Sequence, residues 1–148
     1  MNKIHKGDYW SKMNRSMNFS DTLTAYIMNL LNSYVQQYNN IYNRNFKPFE
    51  TDRPEDRQRR LVGIGRSWVA NIKRAPHVEK RAIDYAEWVL RNDKWIWVWE
   101  DKELRKLHTW LQENFPLWKL LRTGGDFKNV SDLPHYEIKR RIWIEYNK

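Results

Sequence analysis

A chain of 148 residues carries 27 Lys and Arg against 18 Asp and Glu, a formal net charge of +9, with nine Trp, eight Tyr, five Phe and no cysteine. The length suits one domain with a real core, and the missing cysteine excludes disulfides, thiolate metal sites and a cysteine nucleophile. The cationic excess favours a polyanionic partner, nucleic acid ahead of an anionic membrane. It is uneven, 13 against 6 over residues 1–76 and 14 against 12 over residues 77–148, so the N-terminal half is the basic one. The longest apolar run, Trp95 to Trp99, is far short of a membrane span, and the polar start has no signal-peptide core behind it. The expectation is a soluble, intracellular protein, not one secreted through a signal peptide.

Residues 1–19 read as a basic aromatic arm, with Tyr9, Trp10, Met13 and Met17 at near-helical spacing among Lys3, Lys6, Lys12 and Arg15. Ser20 offers an N-cap to a helix from Asp21 to about Tyr42. Its seam is Leu23, Ile27, Leu30, Leu31, Tyr34, Tyr38 and Ile41, spaced at three and four. A loop follows from Asn43 to Arg53, and Pro54 suits the first turn of a second helix.

That second helix, within Asp52 to Arg74, places Arg59, Gly63, Arg66, Ala70 and Lys73 on one stripe and Leu61, Val62, Trp68, Val69 and Ile72 on the other side. Arg60 and Arg74 flank the stripe, which at 1.5 Å per residue is roughly 21 Å long, enough to follow several phosphates. A solvated charged face is the plainer alternative. Pro76 ends the element, and a third helix is expected from His77 to about Arg91, with Val78, Ala82, Tyr85, Ala86 and Val89 on one face.

The segment Lys94 to Trp99 has strand-like content but no evident partner strand, so it reads as an aromatic interface segment. It leads into a fourth helix, Glu100 to Asn114, with Leu104, Leu107, Leu111 and Phe115 as its seam. A short apolar piece, Leu117 to Arg122, closes at Gly124-Gly125, and a final helix starts near Pro134 with Ile138 and Ile142 inward. The expected architecture is all-α, a bundle of four to five helices over residues 20–148 behind an arm of residues 1–19.

No motif compels chemistry. His5, His77, His108 and His135 show no i, i+4 pairing, which argues against a metal site, and no cofactor fingerprint is present. Glu100-Asp101-Lys102, with Asp84 or Asp93, resembles part of a metal-dependent nuclease site, with a dipole-favoured helix start as the alternative. Gly63 to Ile72 matches half of a helix-turn-helix.

The Tyr9-Trp10-Ser11-Lys12-Met13-Asn14-Arg15 arm followed by the helix from Asp21 resembles the major coat proteins of filamentous and rod-shaped archaeal viruses. The resemblance implies a non-enzymatic, sequence-tolerant structural protein that wraps double-stranded DNA in a helical array. On that reading Lys6, Lys12, Arg15, Arg59, Arg60, Arg66, Lys73 and Arg74 face phosphates. Tyr9, Trp10, Trp95, Trp97 and Trp99 contact copies of the chain or a paralogous subunit. The alternatives are a small viral or mobile-element protein that blocks a host protein through its Trp-rich surface, and a helix-turn-helix regulator.

Overall fold

A computed structural model of the protein describes residues 19–51, 75–126 and 132–148. The expected arm with Lys6, Tyr9, Trp10, Lys12 and Arg15, and the expected helix with Arg59, Arg60, Arg66, Lys73 and Arg74, lie outside the described residues. Within them the order is α1 (Thr22–Tyr42), β1 (Phe46–Glu50), β2 (Ala82–Arg91), β3 (Lys94–Val98), α2 (Asp101–Asn114), β4 (Leu121–Thr123), β5 (His135–Ile138) and α3 (Arg140–Tyr146). Single 3-10 turns occupy Trp118–Leu120 and Gly124–Asp126. All strand pairs are antiparallel, in the order β1-β2-β5-β4, and β3 pairs with the distal part of β2. The all-helical bundle is therefore corrected to a mixed α/β fold, with three helices and a five-stranded antiparallel sheet among the described residues.

Two of the expected helices stand. In α1 the cap is Asp21 rather than Ser20: its carboxylate accepts the Thr24 N–H at 2.7 Å, satisfying one of the orphan donors of the first turn. Asn43 ends the helix in the left-handed region at φ 54°. Ile27, Met28, Leu31, Val35 and Tyr38 are buried, whereas Ile41, expected in the seam, is exposed. In α2, Leu104, Leu107 and Leu111 are buried with Phe115 behind them, as their spacing requires. Both helices contribute to one core with Phe46, Ile83, Tyr85, Leu121, Tyr136 and Ile138 of the sheet.

The other expectations fail for identifiable reasons. The stretch expected as a helix from His77 to Arg91 is a turn over residues 76–80 followed by β2. A central strand covered on both faces loses the polar alternation that marks a strand, and its apolar spacing then also fits a helical stripe. The partner that Trp95 to Trp99 lacked on paper is β2 itself. The connection is the two-residue turn Asn92-Asp93, with φ 51° and 61°, and both residue types tolerate the left-handed backbone such hairpins need.

The expected loop after Asn43 contains β1, disguised by Pro48. A proline is tolerated here because β1 is the terminal strand and its register shifts between Pro48 and Glu50. The Asn39 amide ties α1 to this strand: Nδ2 donates to the Phe46 carbonyl and Oδ1 accepts the Phe46 N–H, both at 2.9 Å. At the C-terminus, the helix expected from Pro134 is β5 and then the shorter α3, so Ile138 is buried as a sheet residue.

Candidate metal centre

Period two sorts the residues of three strands between the faces of the sheet. On β5, Tyr136 and Ile138 join the helices' core, which sends His135 and Glu137 to the opposite face. On β2, Ile83 and Tyr85 go inward and Asp84 goes with His135, its register partner. On β4, Leu121 is in the core and Arg122 pairs with Glu137. His77 arrives from the turn before β2, where its carbonyl accepts the Lys80 N–H at 3.2 Å and the Pro76 carbonyl accepts the Arg81 N–H at 3.0 Å.

His77, Asp84 and His135 converge there. His77 Nε2 is 3.1 Å and His135 Nδ1 is 3.0 Å from the same oxygen, Asp84 Oδ1. Each imidazole is anchored from behind through its other nitrogen. His77 Nδ1 donates to the Thr51 carbonyl at 2.6 Å, and His135 Nε2 donates to Glu137 Oε1 at 3.1 Å. A carbonyl and a carboxylate can only accept, so in the neutral rings the protons sit on these outer nitrogens. The inner nitrogens then present lone pairs to a carboxylate oxygen. Three acceptors meeting in one place require a cation between them, either a proton or a metal ion.

The electrostatics agree. Burial alone would raise the Asp84 pKa, but the charge of His77 and hydrogen bonds from His135 and His77 hold it well below the usual carboxylate range. Burial disfavours charge on His135, yet the hydrogen bonds to Asp84 and Glu137 and their charges push its pKa up to about 10. Glu137 is likewise lowered: burial works against its charge, and His135 and Arg81 outweigh it. Buried Arg81 donates through Nη1 to Glu137 Oε2 at 2.6 Å and to the Ile138 carbonyl at 2.9 Å, and through Nε to Glu79 at 2.8 Å. Arg140 of α3 also grips Glu79, so the rear of the site is braced by paired charges.

The donor set fits a divalent metal. The three ligand atoms lie within 4.8 Å of one another, and tetrahedral donors at zinc bond lengths stand about 3.3 Å apart. Two imidazoles and one carboxylate suit zinc, and three protein ligands leave the open position of a catalytic rather than a structural site. The expectation of no metal site is thus corrected: His77 and His135 lack sequence periodicity because the turn before β2 and the neighbouring strand β5, far apart in sequence, deliver them. One signal was legible, the alternation His135-Tyr136-Glu137-Ile138 with both polar residues on one face.

His108 lies apart, on α2, with its Nε2 2.8 Å from Thr123 Oγ1. Glu100 and Asp101 form the start of α2, Asp93 lies in the hairpin turn, and only Asp84 of the proposed nuclease set enters the cluster. Trp97 packs on Phe49 and Trp88, with ring centroids 5.2 and 4.9 Å apart. Trp95 stacks on Trp88, and Trp99 leans on Phe49 at 5.0 Å while remaining 46% exposed.

No protein-family model and no curated protein sequence matches the chain. Among solved structures it is similar to the crystal structure of the Serratia marcescens L-Ala D-Glu endopeptidase ChiX, with a TM-score of 0.64 and 18% identity over 88% of this chain and 89% of that one. The likeness is one of fold. Together with the His77-Asp84-His135 cluster it overturns the coat-protein resemblance and the non-enzymatic, DNA-wrapping role that followed from it, which find no support in the fold. Among the described residues no helix is long and apolar enough to cross a membrane.

Proposed function

We propose that the chain is a metal-dependent peptidase of the peptidoglycan-endopeptidase kind, with His77 Nε2, Asp84 Oδ1 and His135 Nδ1 holding one zinc ion. The observation that carries the reading is the outward anchoring of both imidazoles, by the Thr51 carbonyl and by Glu137, which aims two lone pairs at Asp84. The shared fold with an L-Ala D-Glu endopeptidase supplies the reaction class. When bound in such a set, zinc lowers the pKa of water and polarises an amide carbonyl.

The chain's own groups have separable tasks. Glu137 holds the His135 tautomer, and Arg81 holds Glu137. Two further acidic residues neighbour the ligands along the backbone: Glu50, the register partner of Asp84 on β1, and Asp132, whose carbonyl accepts the His135 N–H at 3.0 Å. Asp132 and Glu50 are the two candidates for the base that takes a proton from the attacking water, since their backbones adjoin His135 and Asp84.

The test is cleavage of an L-Ala–D-Glu peptide by purified chain, followed by mass spectrometry. Activity restored to the chelated protein by one equivalent of zinc, and lost in Asp84→Asn, is the expected result. Cleavage that persists in excess chelator would defeat the reading.

A further inference from the structure

We propose that Arg122 recognises the carboxylate that a Glu residue keeps beside the bond being cut, an inference that rests on the peptidase reading above. Arg122 is the register partner of Glu137, so β4 sets it on the same face of the sheet as His135 and Asp84. Glu137 has a buried cationic partner already, since Arg81 is only 3% exposed and donates to Oε2 at 2.6 Å. Arg122 reaches the other oxygen, Oε1, at 3.2 Å, yet its side chain remains 59% exposed. One carboxylate thus has two guanidiniums in opposite environments, and the exposed one stands on the face a substrate must approach. Its planar fork of donors matches a carboxylate in shape as well as in charge.

Distance and substrate chemistry agree with this role. From β4 to β2 is two strand spacings, about 10 Å, and an extended residue spans about 3.3–3.6 Å. A peptide bond lying over Asp84 and His135 therefore brings groups of its neighbouring residue within reach of the Arg122 side chain. A Glu whose amine forms the scissile amide has two carboxyl groups. A peptide continuing beyond it consumes one of them, and the other remains an anion next to the reacting bond. Replacing that carboxylate by a carboxamide removes the charge while leaving the peptide's shape almost unchanged.

The experiment compares two peptides, L-Ala–D-Glu–L-Lys with the spare Glu carboxyl free and the same peptide with it amidated, using the zinc-loaded full chain. The wild type is expected to favour the free acid about ten- to hundredfold in kcat/KM, mainly through KM. Arg122→Gln should bring that ratio to about one, and Arg122→Lys should recover part of it. Calorimetry with the product D-Glu–L-Lys should show weaker binding to R122Q than to the wild type. An Arg122 that serves only to position His135 through Glu137 would instead slow both peptides equally and weaken zinc binding. That result, equal cleavage of both peptides by the wild type, or a preference surviving in R122Q would overturn the assignment. A wild type that binds zinc stoichiometrically and cleaves neither peptide overturns the peptidase reading, and this inference with it.

Discussion

Asp84 and His135 are 51 residues apart in sequence and 3.0 Å apart in space, because β2 and β5 pair them directly across the ladder. Asp84→Asn keeps the shape of this contact and removes its charge. The amide keeps one oxygen but no negative charge, which makes it a much weaker zinc ligand, so zinc affinity is expected to fall about a hundredfold. Isothermal titration of the metal-free protein measures it. Wild-type affinity in the variant would exclude Asp84 as a ligand.

Glu137→Gln separates support from ligation. Losing the carboxylate behind His135 Nε2 should weaken zinc binding about 10- to 100-fold without abolishing it. The same change strips a buried guanidinium, Arg81, of its closest anionic partner, and breaking a buried pair on one side costs about 3–5 kcal/mol. Urea unfolding of the metal-free variant should register that loss. A stable variant would mean that Glu79 alone satisfies Arg81.

How far the sequence betrays this architecture depends on where each element's burial comes from. The helices α1 and α2 are buried along one stripe, so Ile27 to Tyr38 and Leu104 to Leu111 announce them. The central strand β2 is covered on both faces and carries Asp84 and Glu87 within an apolar run, which hides it. The hairpin was in principle readable at Asn92-Asp93, two residues that tolerate the left-handed backbone. The metal cluster was not readable as a spacing, since strand pairing across the sheet assembles it. Basic charge drew attention to Arg59, Arg66 and Lys73, but net charge constrains partners only weakly and fold not at all.

Of the two described glycines, Gly124 leaves the less room for a side chain. A Cβ there would come within 1.7 Å of the Asp132 carbonyl oxygen, the same oxygen that receives the His135 N–H. Gly124→Ala must therefore move the turn that carries His135. A destabilisation of about 1–3 kcal/mol, the usual cost of forced overpacking, should accompany a loss of zinc affinity. Thermal melts with and without zinc would show both. A variant with unchanged zinc binding would show that this turn does not set the position of His135.

Asp132→Asn and Glu50→Gln separate the two candidates for the base. Removing a positioned general base lowers turnover about 10²- to 10⁴-fold, while zinc binding should remain, because neither residue is one of the three ligands. Steady-state kinetics beside a zinc titration distinguish the two. If Glu50→Gln rather than Asp132→Asn silences the zinc-loaded chain, the base lies on β1.

The raised pKa of His135 gives the metal-free and zinc-bound forms opposite responses to pH. Its folded value, about 10, exceeds the ordinary 6.5. In the metal-free chain the protonated ring therefore contributes stability that is fully present below about pH 6.5 and is lost as pH rises towards 10. Zinc needs the lone pair that this proton occupies, so apparent zinc affinity should climb about tenfold per pH unit across pH 6.5–8, with one proton released from His135. Asp84, held far below the usual carboxylate range, is already ionised there and adds no further slope. The rise in melting temperature on adding zinc should accordingly grow from pH 6.5 to pH 8. Calorimetry in two buffers of different ionisation enthalpy counts the released proton directly. A zinc affinity that stayed flat over this range would mean that His135 Nδ1 does not bind the metal.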